Sequence, residues 1–147
     1  MFEIEKNIEN DLGKMNIQEK YSWALMNDDV ESLKKLVDGK PIDNIYIEFG
    51  QQFFPLVFKA VSYSSKKCLE MILENGGDPD HCCAGEGPWD TMLTPFMLAV
   101  VSGDIKIAEI LLLKGADFSK KPSNNKSASQ LSSTTEMKKF LKRKGIP

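Results

Sequence analysis

The residues with most chemical potential fall in one stretch, His81-Cys82-Cys83. An imidazole and two thiols can ligate soft metals, and a thiol beside an imidazole is the pairing of a cysteine nucleophile. The spacing argues against both. Consecutive ligands rarely close one tetrahedral site, no Cys-x-x-Cys pair accompanies them, and His81 is the only histidine, which leaves no second imidazole for a two-His zinc centre. A Cys82 or Cys83 nucleophile has no identifiable orienting carboxylate or oxyanion donor. Gly85-Glu86-Gly87 lacks the preceding strand, further glycines and lysine of a phosphate loop. Asp28/Asp29 and Asp78/Asp80 are more simply cap and turn residues than a general acid and base. The chain reads as a non-enzyme, with no catalytic residue, cofactor or metal expected. A metal- or redox-linked regulator built on His81-Cys82-Cys83 is kept as an alternative.

Bulk properties point the same way. A chain of 147 residues, 41% apolar and 27% charged, suits one globular domain. Net charge −2 gives no global case for nucleic acid or an anionic membrane, but the charge is uneven. Residues 1–31 carry eight acids against three lysines, and residues 114–147 carry nine bases against two acids. No run of apolar residues is long enough to span a membrane, and the acidic N-terminus has no apolar signal segment. Three cysteines without such a segment suggest reduced thiols and a cytoplasmic location.

Two short helices can be read from Thr94 to Asp117. Thr94 is a helix N-cap with Pro95 at the first helical position, and Phe96, Leu98, Ala99 and Val100 follow until Ser102-Gly103 stops the run. Asp104 caps a second helix in which Ile107, Ile110, Leu111 and Lys114 recur at three- and four-residue steps, and Gly115 supplies a left-handed close. Neither helix can bury its apolar face alone, so both need neighbours.

This stretch resembles the ankyrin repeat. Thr94-Pro95-Phe96-Met97, Ala99, Gly103-Asp104, Leu111-Leu112 and Gly115-Ala116-Asp117 match the family's opening, inner helix, turn, outer helix and close, with Met97 and Val100 as departures. Copies follow. A shift of 39 residues aligns Ala60, Ser64, Cys68, Ile72-Leu73 and Gly76-Gly77-Asp78 with Ala99, Gly103, Ile107, Leu111-Leu112 and Gly115-Ala116-Asp117. Against the family period of about 33, roughly six residues are inserted before Thr94. Ala24-Leu25, Asp28-Asp29, Leu33 and Leu36-Val37 form a looser copy upstream, and Ser127-Ala128 with Met137 to Gly145 a truncated last one. Degenerate ends suit a solenoid, whose terminal repeats must face water. The fold class implied is all-α, an ankyrin-repeat solenoid of about four helix-turn-helix repeats joined by β-turn or finger connectors, two of them long. The expected division is a helical cap or tail over 1–16 and a repeat domain over 17–147, with repeats at 17–43, 54–80, 94–119 and 126–147.

The long connectors hold the binding candidates. Residues 38–54 contain Ile45, Tyr46, Ile47 and Phe49, an alternating, aromatic pattern suited to strands that either pack on adjacent fingers or form an exposed contact patch. Residues 78–94 carry the insertion, with His81, Glu86, Trp89 and Asp90; Trp89 either covers the junction of repeats two and three or anchors an interface. Cys68 reads as a small buried hydrophobe. The basic run Lys138, Lys139, Lys142, Arg143 and Lys144 reads as a solvated face around inward Met137, Phe140 and Leu141 rather than as a nucleic-acid site.

What the resemblance implies is a non-catalytic protein-protein binding module. Its contact positions would be Met26 and Asn27, Ser62 and Tyr63, Val101 and Ser102 at the inner-helix turns, extended by Tyr46, Phe49, His81, Glu86, Trp89 and Asp90. The acidic N-terminal half suits a partner with a basic surface. Taken as a free-standing module, monomeric when free, the chain is expected to act as a stoichiometric inhibitor of the immunity type, occluding a partner such as a toxin or enzyme. An adaptor docking into a larger assembly is the alternative.

Overall fold

The computed structural model describes residues 13–82, 93–120 and 125–147. The expected N-terminal cap therefore lies outside the described residues over 1–12, as does the short finger over 121–124. Helices α1 (Ile17–Met26) and α2 (Val30–Val37) come first, followed by a 3-10 turn (Ile42–Asn44) and strands β1 (Tyr46–Phe49) and β2 (Gln52–Pro55). Three more helix pairs complete the described order: α3 (Leu56–Ser62) with α4 (Lys66–Glu74), α5 (Pro95–Ser102) with α6 (Ile105–Leu113), and α7 (Ala128–Leu131) with α8 (Thr135–Arg143).

Each pair is an antiparallel hairpin of helices, and the pairs stack in two layers. In the inner layer α3 packs on α5 and α5 on α7; in the outer layer α2 packs on α4 and α4 on α6. Strand β1 touches both α1 and α3, so the hairpin sits at the junction of the first two pairs. Small residues at equivalent inner positions, Ala24, Ala60 and Ala99, are fully buried and leave room for neighbouring helices to approach. The apolar side chains of each pair then merge into one core, with Leu25, Leu33, Leu56, Ile72, Phe96, Ile107, Leu111, Met137 and Phe140 buried throughout. Among the described residues, no helix is long and apolar enough to cross a membrane.

Local chemistry explains the helix limits. Asn16 caps α1 through a reciprocal capping box with Glu19. Thr94 accepts from the Met97 N–H and Asp104 from the Ile107 N–H, as their positions in the sequence predict. The turn inside each of the first three pairs needs one residue with left-handed backbone. Asp28, Ser64 and Gly103 occupy it, with φ of 50°, 56° and 71°. Gly103 adopts this without the steric cost that Ser64 bears. The last pair is truncated: α7 is a single turn under a Ser127–Gln130 capping box, and Ile146 folds back buried.

Candidate functional site

Strands β1 and β2 form an antiparallel hairpin with Tyr46 opposite Pro55, Ile47 opposite Phe54, Glu48 opposite Phe53 and Phe49 opposite Gln52. The Gly50-Gln51 loop closes it, with Gly50 at φ 65°, the positive value that a two-residue turn opening on glycine requires. Period-two alternation puts Ile47 and Phe49 on one face and Tyr46 and Glu48 on the other, so burial follows position along the strand as well as face. Ile45 and Ile47 are buried and root the hairpin in the core, whereas Tyr46, Phe49 and Phe53 are 41%, 67% and 58% exposed. The two readings of this connector thus divide by residue: the isoleucines pack, and the aromatics stand in solvent.

The hairpin is fixed on three sides. At its base the Leu56 N–H donates to the Ile45 carbonyl, carrying the ladder into the first turn of α3. Along its free edge, the Gln18 side chain of α1 donates to the Tyr46 carbonyl (3.2 Å) and accepts from the Glu48 N–H (2.8 Å). One amide therefore satisfies the edge groups that would otherwise template another strand. Beneath the hairpin, buried Lys59 of α3 places Nζ 4.6 Å from the ring centres of both Phe49 and Phe54 and 5.4 Å from that of Tyr63. Phe54 also stacks on Phe58 at 5.7 Å. Three π faces around a desolvated ammonium form a favourable cation–π cluster.

His81 links the hairpin to the next connector. Its Nε2 lies 3.3 Å from the Tyr46 hydroxyl, its Nδ1 3.5 Å from Asp43 Oδ1, and its ring meets Tyr46 edge-on at 5.7 Å. Successive connectors are also tied by carboxylates: Asp43 accepts from the Asp78 N–H, and Asp80 accepts from the Asp117 N–H and pairs with Lys120. The Ser119 hydroxyl and N–H hold the Asp117 carboxyl below the usual carboxylate range. Both nitrogens of His81 thus face groups of the fold. Cys82 donates to the Asp80 carbonyl, and among the described residues no cluster of His, Cys, Asp or Glu has the makings of a metal site. Cys68 is buried as a small hydrophobe; burial, aided by the Asp28 carboxylate, pushes its thiol up to about 12. That thiol is the reverse of an activated nucleophile.

Of the sequence-predicted contact residues, Tyr46 and His81 are brought together. Met26, Asn27, Ser62, Val101 and Ser102 are exposed at the inner-helix turns, and Tyr63 is half-buried against Lys59. Glu86, Trp89 and Asp90, with Cys83, lie outside the described residues. Three participants escape the sequence reading. Phe53 lies on the second strand, across from Glu48 and on the same face as Tyr46, and treating Gly50-Gln51 as a two-residue hairpin turn would have found it. Lys59 has a signal too, a charge inside the apolar run Leu56–Val61. Gln18, which acts across 28 to 30 residues of chain, has none.

Paired helices, positive-φ turns and a hairpin finger define the class, and comparison with known proteins agrees. The family model for ankyrin repeats, in three copies, matches residues 21–122, and the chain belongs to the ankyrin repeat family. It is similar to the ankyrin repeat protein FPV022 of fowlpox virus (strain NVSL), with 31% identity over 96 residues, which is 65% of this chain but only 15% of that protein. The fold is also that of the human ASB11 ankyrin repeat domain (TM-score 0.66, 20% identity), covering 86% of this chain and 53% of that one. Ankyrin repeats are in general protein–protein interaction modules, typically without catalysis.

Proposed function

We propose that this chain binds a protein partner through the Tyr46–Pro55 hairpin and the adjoining inner-helix turns, and that it acts as a stoichiometric inhibitor by covering its partner's working surface. The observation that carries the reading is the set of large aromatic side chains held in solvent on a backbone anchored by Ile47, Gln18 and Lys59. Rings on a preformed frame lose little freedom when they are buried, so their contact area converts efficiently into affinity. Met26 and Val101, 64% and 42% exposed, extend the apolar surface along the inner-helix turns. The acids of residues 1–31 favour a partner with a basic surface, a toxin or enzyme in the inhibitor reading.

The match to FPV022 over only 15% of that protein favours, as a second reading, a module docking into a larger assembly. Capture from native lysate with tagged wild-type protein, beside a Met26→Ala/Phe49→Ala variant, tests the binding surface. One stoichiometric partner, lost in a variant that melts as the wild type does, is the expected result. Retention by the variant removes the surface from the proposal. If the partner is an enzyme whose activity is unchanged on binding, the adaptor reading replaces the inhibitor.

A further inference from the structure

The two faces of the hairpin differ in a way that names the chemistry of the contact. On the face turned to α3, Ile47 is buried and Phe49 and Phe54 enclose the Lys59 ammonium. On the opposite face the register sets Glu48 directly across from Phe53, with Tyr46 two residues along the same strand. All three are exposed, and Glu48 is the only charged residue in either strand. We propose that this outer face, Tyr46, Glu48 and Phe53, is the subsite that takes a cationic side chain of the protein partner, arginine by preference. The inference rests on the protein-binding reading above and specifies its partner.

Three observations carry it. The inner face shows that rings of this hairpin accept a cation, since Nζ of Lys59 sits 4.6 Å from two of their centres. The outer face adds what the inner lacks among its strand residues, a carboxylate-bearing residue directly across from Phe53 and two positions from Tyr46. A guanidinium is planar and weakly hydrated, so it can stack flat on a ring while pairing in its plane with a carboxylate, whereas an ammonium is a compact, strongly hydrated charge with no plane to stack. Finally, the receptor groups are held in place before any partner arrives. Gln18 fixes the backbone at Tyr46 and Glu48, and the Tyr46 ring rests edge-on against His81. His81 engages the Tyr46 hydroxyl, and Tyr46 remains 41% exposed for contact with the guanidinium.

The test is an NMR titration of the full chain with the peptide acetyl-Gly-Arg-Gly-amide, beside its citrulline counterpart, which has nearly the same shape without the charge. Expected are saturable shifts of the Tyr46 and Phe53 ring signals and the Glu48 amide, with the Phe49 and Phe54 rings unmoved. The citrulline peptide, and separately Glu48→Gln or Phe53→Leu, should each weaken binding by about two- to five-fold. Glu48→Gln keeps the N–H that Gln18 accepts, and Phe53→Leu keeps the apolar bulk, so two independent variants guard against misfolding. Absence of saturable shifts, shifts centred on the acidic N-terminal residues, or wild-type titration of both variants would overturn the proposal. A captured partner retained equally by both variants would overturn it while leaving protein binding intact. Failure to capture any protein, with the peptide titrating as expected, would sink the protein-binding reading and with it the assignment of the cation to a protein partner.

Discussion

The third helix pair and the second solve the same folding problem with different means. In α5–α6 the signals are local: Thr94 and Asp104 cap their own helices, Pro95 opens the first, and Gly103 makes the turn. In α3–α4 Pro55 offers no side-chain cap, Ser64 bears the left-handed turn, and Ser65 donates its hydroxyl to the Leu25 carbonyl instead of capping α4. The missing caps come from the preceding pair and its connector. Asp28 accepts from the N–H groups of Lys67 and Cys68 at the start of α4, and the Ile45 carbonyl accepts from Leu56 at the start of α3. One pair is specified by itself, the other by its neighbour. The borrowed pair is also the one that carries the hairpin, so the surface proposed for binding is wired directly into the junction of the first two pairs.

The largest effect should come from cutting the hairpin's root. Ile47→Ala removes a fully buried anchor and should cost about 2–5 kcal/mol by urea unfolding, whereas exposed Phe49→Ala should cost about 1 kcal/mol or less. Equal costs would mean that the aromatics are core. Next comes Gly77→Ala. Its new Cβ would lie 2.8 Å from the Ile72 carbonyl oxygen and Cγ2, although Ala116 occupies the equivalent place in the next pair, where Leu111 replaces Ile72. A loss of about 1–3 kcal/mol is expected, and a neutral result would show the two closes to be interchangeable.

Asp28→Ala tests the borrowed cap. A loss of about 1–2 kcal/mol is expected in thermal or denaturant unfolding, with the first pair melting ahead of the rest; Asp104→Ala should cost about as much but leave the transition single. The smallest effect concerns Cys68. Its thiol ionises near 9.0 when unconstrained and at about 12 in the fold, so the unfolded chain gives up its proton first. The stability linked to this group is complete below pH 9 and is lost as pH rises toward 12. At pH 8, iodoacetamide should label half-buried Cys82 and leave Cys68 unmodified in the native protein.

How legible all this is from the sequence follows from the same contrast. Thr94, Asp104 and Gly115 act within a few residues of their own positions, so periodicity and cap chemistry place α5 and α6 directly. The inward residues of the other pairs, such as Tyr21, Ala24 and Leu25 or Met137, Phe140 and Leu141, also follow from helical spacing. Contacts across repeats do not. Gln18 on the strand edge and Asp28 at the start of α4 depend on stacking that no local pattern encodes, and Lys59, though its charge marks it in an apolar run, meets Phe49 and Phe54 only once the hairpin folds back on α3. Alternation separates Ile47 from Tyr46, but which set faces the core is decided by where α1 and α3 lie.

The account turns on the hairpin being a formed platform in the free protein. Amide hydrogen exchange followed by NMR measures this directly. The account predicts that the amides of Glu48 and Leu56, bonded to Gln18 and Ile45, exchange slowly and to a similar extent as those of α3. Exchange of both at the rate of an open chain, with α3 still protected, would mean that the hairpin is not built before binding, and would contradict the preformed surface on which the proposal stands.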